Sequence, residues 1–180
     1  MSKKVCITGS SGFIGRKIVS QLSHNGAEII ELDIEDGIDI SIWEQVKRIK
    51  KFDVMIHLAG LSFVPDSYRI PRVMFQTNIL STLNMLELCR IKGAKMIYTS
   101  SYVYGKPIYL PIDEKHPIVS FNPYSQSKII GEELCRNYNE SFNVPIIVFR
   151  PFNVYGPNQN DRFLIPSIIS QIQADSSIHL

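Results

Sequence analysis

Five short apolar runs punctuate this chain of 180 residues, and longer stretches of helical pattern separate them. The runs occupy residues 4–8, 28–32, 54–58, 95–99 and 145–149, each brief and rich in branched side chains, as strands buried on both faces require. Helical patterns cover 13–24, 42–49, 68–91, 124–139 and 166–173; in the longest, Met74, Phe75, Ile79, Leu83, Leu86 and Cys89 recur at helical spacing. Strand and helix in strict alternation predict an α/β fold of the Rossmann type. Its doubly wound parallel sheet carries helices on both faces, joined by right-handed crossovers. Residues 106–122 break the alternation with Pro107, Pro111, Pro117 and the charged Asp113-Glu-Lys115, reading as an irregular surface segment that shapes a ligand cleft.

The first strand-to-helix junction reads Thr8-Gly-Ser-Ser-Gly-Phe-Ile-Gly15. Glycines at 9, 12 and 15 let the backbone turn tightly and approach a pyrophosphate, whose charge meets free amides and the positive end of a helix. Asp33 closes the second strand about twenty residues on, where a carboxylate can accept from adenosine ribose hydroxyls. Loop and acid together predict a dinucleotide, with Gly9, Ser11, Gly12, Phe13, Ile14, Gly15 and Asp33 in contact. The same carboxylate repels a 2′-phosphate, so NAD is preferred over NADP. Arg16 reads as a solvated helix residue.

Tyr124 and Lys128 lie four positions apart at the start of a helix and share one face. A phenol and an ammonium converging on one ligand suit general acid/base work, because a nearby cation favours phenolate and lowers a tyrosine pKa.

Composition narrows the partners. Nineteen basic and seventeen acidic side chains give a net charge of +2 without a basic block, so neither nucleic acid nor an anionic membrane is expected. Cys6, Cys89 and Cys135 are odd in number and widely spaced, which suits buried reduced thiols rather than disulfides, and no metal site is expected. The apolar run at the amino terminus is too short for a signal peptide, and no run reaches the ~20 residues that span a bilayer. The cytoplasm is the expected compartment.

Five motifs in order, the glycine loop, His57-Leu-Ala-Gly60, Ser100-Ser-Tyr-Val-Tyr-Gly105, Tyr124-Ser-Gln-Ser-Lys128 and Arg150-Pro-Phe-Asn-Val-Tyr-Gly-Pro157, resemble the extended short-chain dehydrogenase/reductases. Within them the chain is similar to the sugar-nucleotide epimerase/dehydratase branch. The resemblance implies a triad of Ser100, Tyr124 and Lys128. In it Tyr124 exchanges a proton with a sugar hydroxyl held by Ser100, and Lys128 holds the nicotinamide ribose and lowers the tyrosine pKa. It also implies cofactor contacts from Asp39 and Ile40 near the adenine, from Leu58, Ala59, Gly60 and Asn78, and from Pro151. Asn153 would contact the nucleotide-sugar substrate. Asp39 has an alternative duty as a helix cap near Ser41. His57 reads as a packed strand histidine. Where the family has Asn-x-x-Gly-Thr, this chain has Asn78-Ile-Leu-Ser-Thr82, a serine in place of the glycine.

Dehydratases of this branch carry Thr-Asp-Glu where this chain reads Ser100-Ser-Tyr102, which removes the acid and base of water elimination. The resemblance therefore implies an NAD-dependent 4-epimerase first, a 4-keto-6-deoxysugar reductase second and a 4,6-dehydratase behind them. An NAD-binding sensor without turnover is the alternative of another class. Family members continue into a smaller substrate domain; residues 1–180 are expected to be the NAD-binding domain, with 158–180 the start of the transition to it. On that reading the chain is truncated and turns over poorly, and the full-length protein is expected to form a homodimer.

Overall fold

The computed structural model describes residues 3–174 and 177–178. Five strands, β1 (Lys4–Thr8), β2 (Glu28–Leu32), β3 (Val54–His57), β4 (Lys95–Thr99) and β5 (Ile146–Phe149), form one sheet in the order β2-β1-β3-β4-β5. Every pairing is parallel, as the alternation predicts. Strand order reverses between β1 and β3. The carboxyl ends of these two strands flank the crevice where such sheets bind ligands.

Side-chain alternation along the strands divides the residues between two faces. The register aligns Ile30, Cys6, Met55, Met96 and Ile146 in one row across the sheet. That row packs with Met85, Leu86, Leu88, Cys89 and Cys135 in the main core. The next row toward the carboxyl edge, Thr8, His57 and Tyr98, lies on the same face and floors the site described below.

Among the described residues five α-helices lie between strands, α1 (Phe13–His24), α2 (Trp43–Val46), α3 (Val64–Arg69), α4 (Pro71–Lys92) and α5 (Pro123–Phe142), and a sixth, α6 (Leu164–Gln173), follows β5. Right-handed crossovers that move in opposite directions along the sheet put α1 on one face and α4 and α5 on the other. The helix expected over 68–91 is two helices. Pro71 lacks an N–H and forces Ile70 out of helical geometry, to φ −132° and ψ 55°, so α3 ends there and α4 starts anew. The pattern at 42–49 keeps a single turn as α2. α5 begins one residue ahead of Tyr124, with Pro123 at its first position. The Asn122 side chain accepts from the Ser125 amide, while the Ser125 hydroxyl accepts from the Asn122 amide.

Residues 106–122 hold neither helix nor strand. The 158–180 stretch contains α6 and includes positions outside the described residues. Among the described residues no helix is long and apolar enough to cross a membrane.

Candidate active site

The glycine loop leaves β1 and enters α1 as a cramped turn. A Cβ at Gly15 would stand 2.0 Å from the Gly9 carbonyl oxygen, and one at Gly9, where φ is +69°, would stand 2.9 Å from the Ala59 amide nitrogen. No other residue fits either position. The Asp33 carboxylate is buried and joins the two sides of the pocket: Oδ2 accepts from the Ser11 amide at 2.9 Å and Oδ1 from the Glu35 amide at 3.1 Å. A carboxylate has about four acceptor sites, so lone pairs stay available for ribose hydroxyls.

Across the crevice, the amides of Leu58 and Ala59 donate to the Thr8 hydroxyl, which donates to His57 Nδ1 at 2.7 Å. His57 Nε2 then donates to Thr82, whose hydroxyl donates to the Asn78 carbonyl. Each group gives one proton and the direction never reverses, which fixes the neutral Nε2–H tautomer. Burial, reinforced by the Lys128 charge, lowers the His57 pKa to about 3.

Asn78, read as a cofactor residue, is committed to protein. Its Oδ1 accepts from Leu61 N–H at 2.8 Å and its amide donates to the Leu61 carbonyl and to Ser127 Oγ. Ser127 donates in turn to the Tyr124 carbonyl at 2.7 Å. Asn78 thereby holds the loop after β3 against the first turn of α5. Ser81, in the family's glycine position, fits by donating back to the Thr77 carbonyl.

The three expected catalytic residues reach the carboxyl edge from two elements. Ser100 follows β4 directly, its amide bound to the Phe149 carbonyl at 2.8 Å. Its hydroxyl is buried with no partner, as is that of Ser10 in the glycine loop. Tyr124 and Lys128 occupy successive turns of α5. The lowering of the tyrosine pKa expected from Lys128 is absent here: burial raises it, and a hydrogen bond from Ser101 opposes only part of the rise. The Lys128 ammonium stands 4.9 Å from the centre of the Tyr98 ring. Burial lowers the Lys128 pKa to about 8, against the opposing pull of Cys135 and Glu132.

Sequence reasoning missed three participants. Ser101 bonds the Tyr124 phenol. Gly131 makes room for Tyr98, since a Cβ there would lie 2.1 Å from the Tyr98 oxygen. Arg150 grips Glu132 on α5. Ser101 and Arg150 stand inside motifs quoted above without that role having been read from them, and Gly131 lies seven residues after Tyr124 on α5.

Of the remaining expected contacts, Phe13 lies beside Gly156, Pro151 is half-buried and Asn153 is exposed on the same segment. Asp39 Oδ1 accepts from both the amide and the hydroxyl of Ser41, the local capping duty, and the Ile40 side chain points into the core. Tyr102 turns its phenol to the Gly105 carbonyl and packs its ring edge-on to Phe152 at 5.0 Å. Among the described residues no three His, Cys, Asp or Glu side chains are grouped to hold a metal ion.

Known proteins share this fold. Residues 5–180 match the model of the NAD dependent epimerase/dehydratase family. A putative UDP-glucose 4-epimerase of Methanocaldococcus jannaschii is 33% identical over 88% of the chain, and the GDP-6-deoxy-D-mannose reductase of Pseudomonas aeruginosa is 34% identical over 96%. The chain spans 58% and 59% of those two proteins. The UDP-glucose 4-epimerase structure from Thermotoga maritima, solved with UDP-glucose, superposes with a TM-score of 0.93 at 25% identity, covering 98% of this chain and 65% of that one. Among other solved neighbours, a UDP-glucose 4-epimerase from Thermus thermophilus and a dTDP-glucose 4,6-dehydratase from Streptomyces venezuelae hold NAD, and a Pseudomonas aeruginosa structure holds NADPH.

Proposed function

Because the chain belongs to the NAD dependent epimerase/dehydratase family, we propose that it is the cofactor-binding domain of a sugar-nucleotide 4-epimerase that uses NAD. What supports this reading is the placement of Ser100 directly after β4 and of Tyr124 and Lys128 on successive turns of α5, in a chain whose glycine loop is tied to Asp33.

The residues fit a dinucleotide. Two buried hydroxyls without partners, Ser10 and Ser100, mark where diphosphate and sugar would find donors. Asp33 supports NAD over NADP, since a 2′-phosphate would meet its carboxylate. Bound nicotinamide supplies the hydride acceptor and donor. Ser100 would orient the sugar hydroxyl, and Tyr124, whose phenolate the positive nicotinamide ring would favour against burial, would take its proton at the phenolic oxygen as the carbon becomes a ketone and then return it. Lys128, charged below about pH 8, would hold the nicotinamide ribose. Tyr102 supports placing the dehydratase reading last, because its phenol is spent on a carbonyl and its ring on an aromatic wall. A reductase is the second reading, favoured by the similarity to the GDP-6-deoxy-D-mannose enzyme. The three buried free thiols suit the cytoplasm, and a homodimer is the assembly we infer for the whole protein.

The test is incubation of the protein with NAD or NADP and with UDP-, GDP-, CDP- or dTDP-sugars. A 4-epimer formed without net change in NADH supports the proposal. NADH consumed by a 4-keto sugar would make it a reductase, and saturable NAD binding with no product from any sugar would make it a sensor. Tyr124→Phe should lower turnover by at least about a hundredfold while NAD affinity changes by less than about threefold.

A further inference from the structure

Arg150 has no part in the chemistry above, yet three segments of the site meet at its guanidinium. Nε donates to Glu132 Oε1 at 2.9 Å and Nη2 to Oε2 at 2.6 Å, the bidentate fork that arginine makes with a carboxylate. Nη1 donates to the Tyr104 hydroxyl at 3.0 Å, with Cζ 5.3 Å from the centre of that ring. The ion pair is largely shielded, at 19% side-chain exposure for Arg150 and 9% for Glu132. We propose that Arg150 is a positioning residue that draws the segments carrying Ser100, Tyr124 with Lys128, and Asn153 into one site.

Each partner stands at a useful place. Glu132 lies on α5 one turn beyond Lys128 and two beyond Tyr124, so its fork fixes the rotation and height of the catalytic face. Tyr104 lies four residues after Ser100, whose amide is already tied to Phe149, the residue before Arg150. Arg150 itself opens the stretch that continues through Pro151 to Asn153. The Tyr104 ring also meets Tyr102 and Phe152 edge-on or tilted, at 5.9 Å and 6.1 Å, so the aromatic wall hangs from the same cation. A lysine would supply the charge but not three directed donors in a plane. Removing Arg150 alone would strand a shielded carboxylate, so simple deletion confuses position with stability.

The enzymatic part of the proposal rests on the sugar-nucleotide reading; the structural part does not. Arg150→Lys is therefore followed first by hydrogen exchange without any ligand, over peptides covering 100–105, 123–132 and 150–156, with 13–24 as reference. The expected result is exchange faster by about tenfold in those three segments and unchanged in the reference. Equal exchange throughout, or acceleration that includes the reference, would overturn the proposal. With a sugar nucleotide that turns over, kcat should fall by about tenfold or more while NAD affinity stays within about twofold. An unchanged kcat would also overturn it. Should Arg150→Lys fail to fold, the Arg150→Gln/Glu132→Gln pair, which leaves no charge unpaired, is read by the same criteria. Segmental loosening in a protein that processes no sugar nucleotide would uphold the clamp and reject the epimerase.

Discussion

His57 shows how much a single side chain can conceal. Its ring is buried between Thr8 and Thr82, and it stays neutral down to about pH 3. An unfolded histidine takes up its proton near pH 6.5. Between these values the unfolded chain binds more protons, so stability falls as pH falls through that window. Urea denaturation at pH 7 and pH 4.5 should show a smaller acid loss for His57→Gln than for the parent, by about 1 kcal/mol or more; equal losses would contradict the assignment. Gly131 is the steric counterpart. Gly131→Ala should destabilise by about 1–3 kcal/mol, the usual cost of overpacking. Combined with Tyr98→Phe the effect should be less than additive, because the contested oxygen is gone. Lys128 carries the functional pH dependence: NAD affinity measured calorimetrically should weaken as pH rises through about 8, where the ammonium loses its proton.

At the scale of elements, α5 concentrates the requirements. Its first turn is held by the Asn122 and Ser125 cap, its second by Ser127 and Asn78, and its third by Glu132 and Arg150. Asn122→Ala should cost about 1 kcal/mol in denaturant unfolding, as loss of a side-chain cap usually does. It should also lower turnover more than it lowers NAD affinity, since the glycine loop lies on another element. The strands and α1 were legible in sequence because their signals are local: apolar runs bounded by glycine and polar residues, and a loop that needs glycines at three positions. The break at Ile70 was written in Pro71 but masked by apolar periodicity that continues through it. Two other features had no local signal at all. The Arg150–Glu132 fork joins residues eighteen apart through sheet register and helix rotation. The stacking of Lys128 over Tyr98 joins a helix residue to a strand residue thirty positions away, and the Tyr98 ring itself fits only because residue 131 is glycine. At Asn78 and Ile40 the structure adds what a short motif cannot give, the protein groups that hold each side chain in place.

The molecule as a whole is unevenly covered. Its core lies between the sheet and the α4–α5 face, whereas β5 is an edge strand with Ile147 and Phe149 more than half exposed. Leu164, Ile169 and Ile172 on α6 are also exposed, at 61%, 49% and 59%. An edge strand with exposed apolar side chains favours association. Light scattering should therefore rise with protein concentration, and Ile147→Lys should reduce it without changing NAD affinity; scattering unaffected by that substitution would acquit the edge. At the opposite end of the sheet, the bond from the Ser11 amide to Asp33 shapes the nucleotide pocket in advance. A pocket that need not assemble itself charges its ligand little ordering entropy. Mixed rapidly with NAD, the protein should respond in one concentration-proportional phase, without the slow step that would betray a pocket waiting to form.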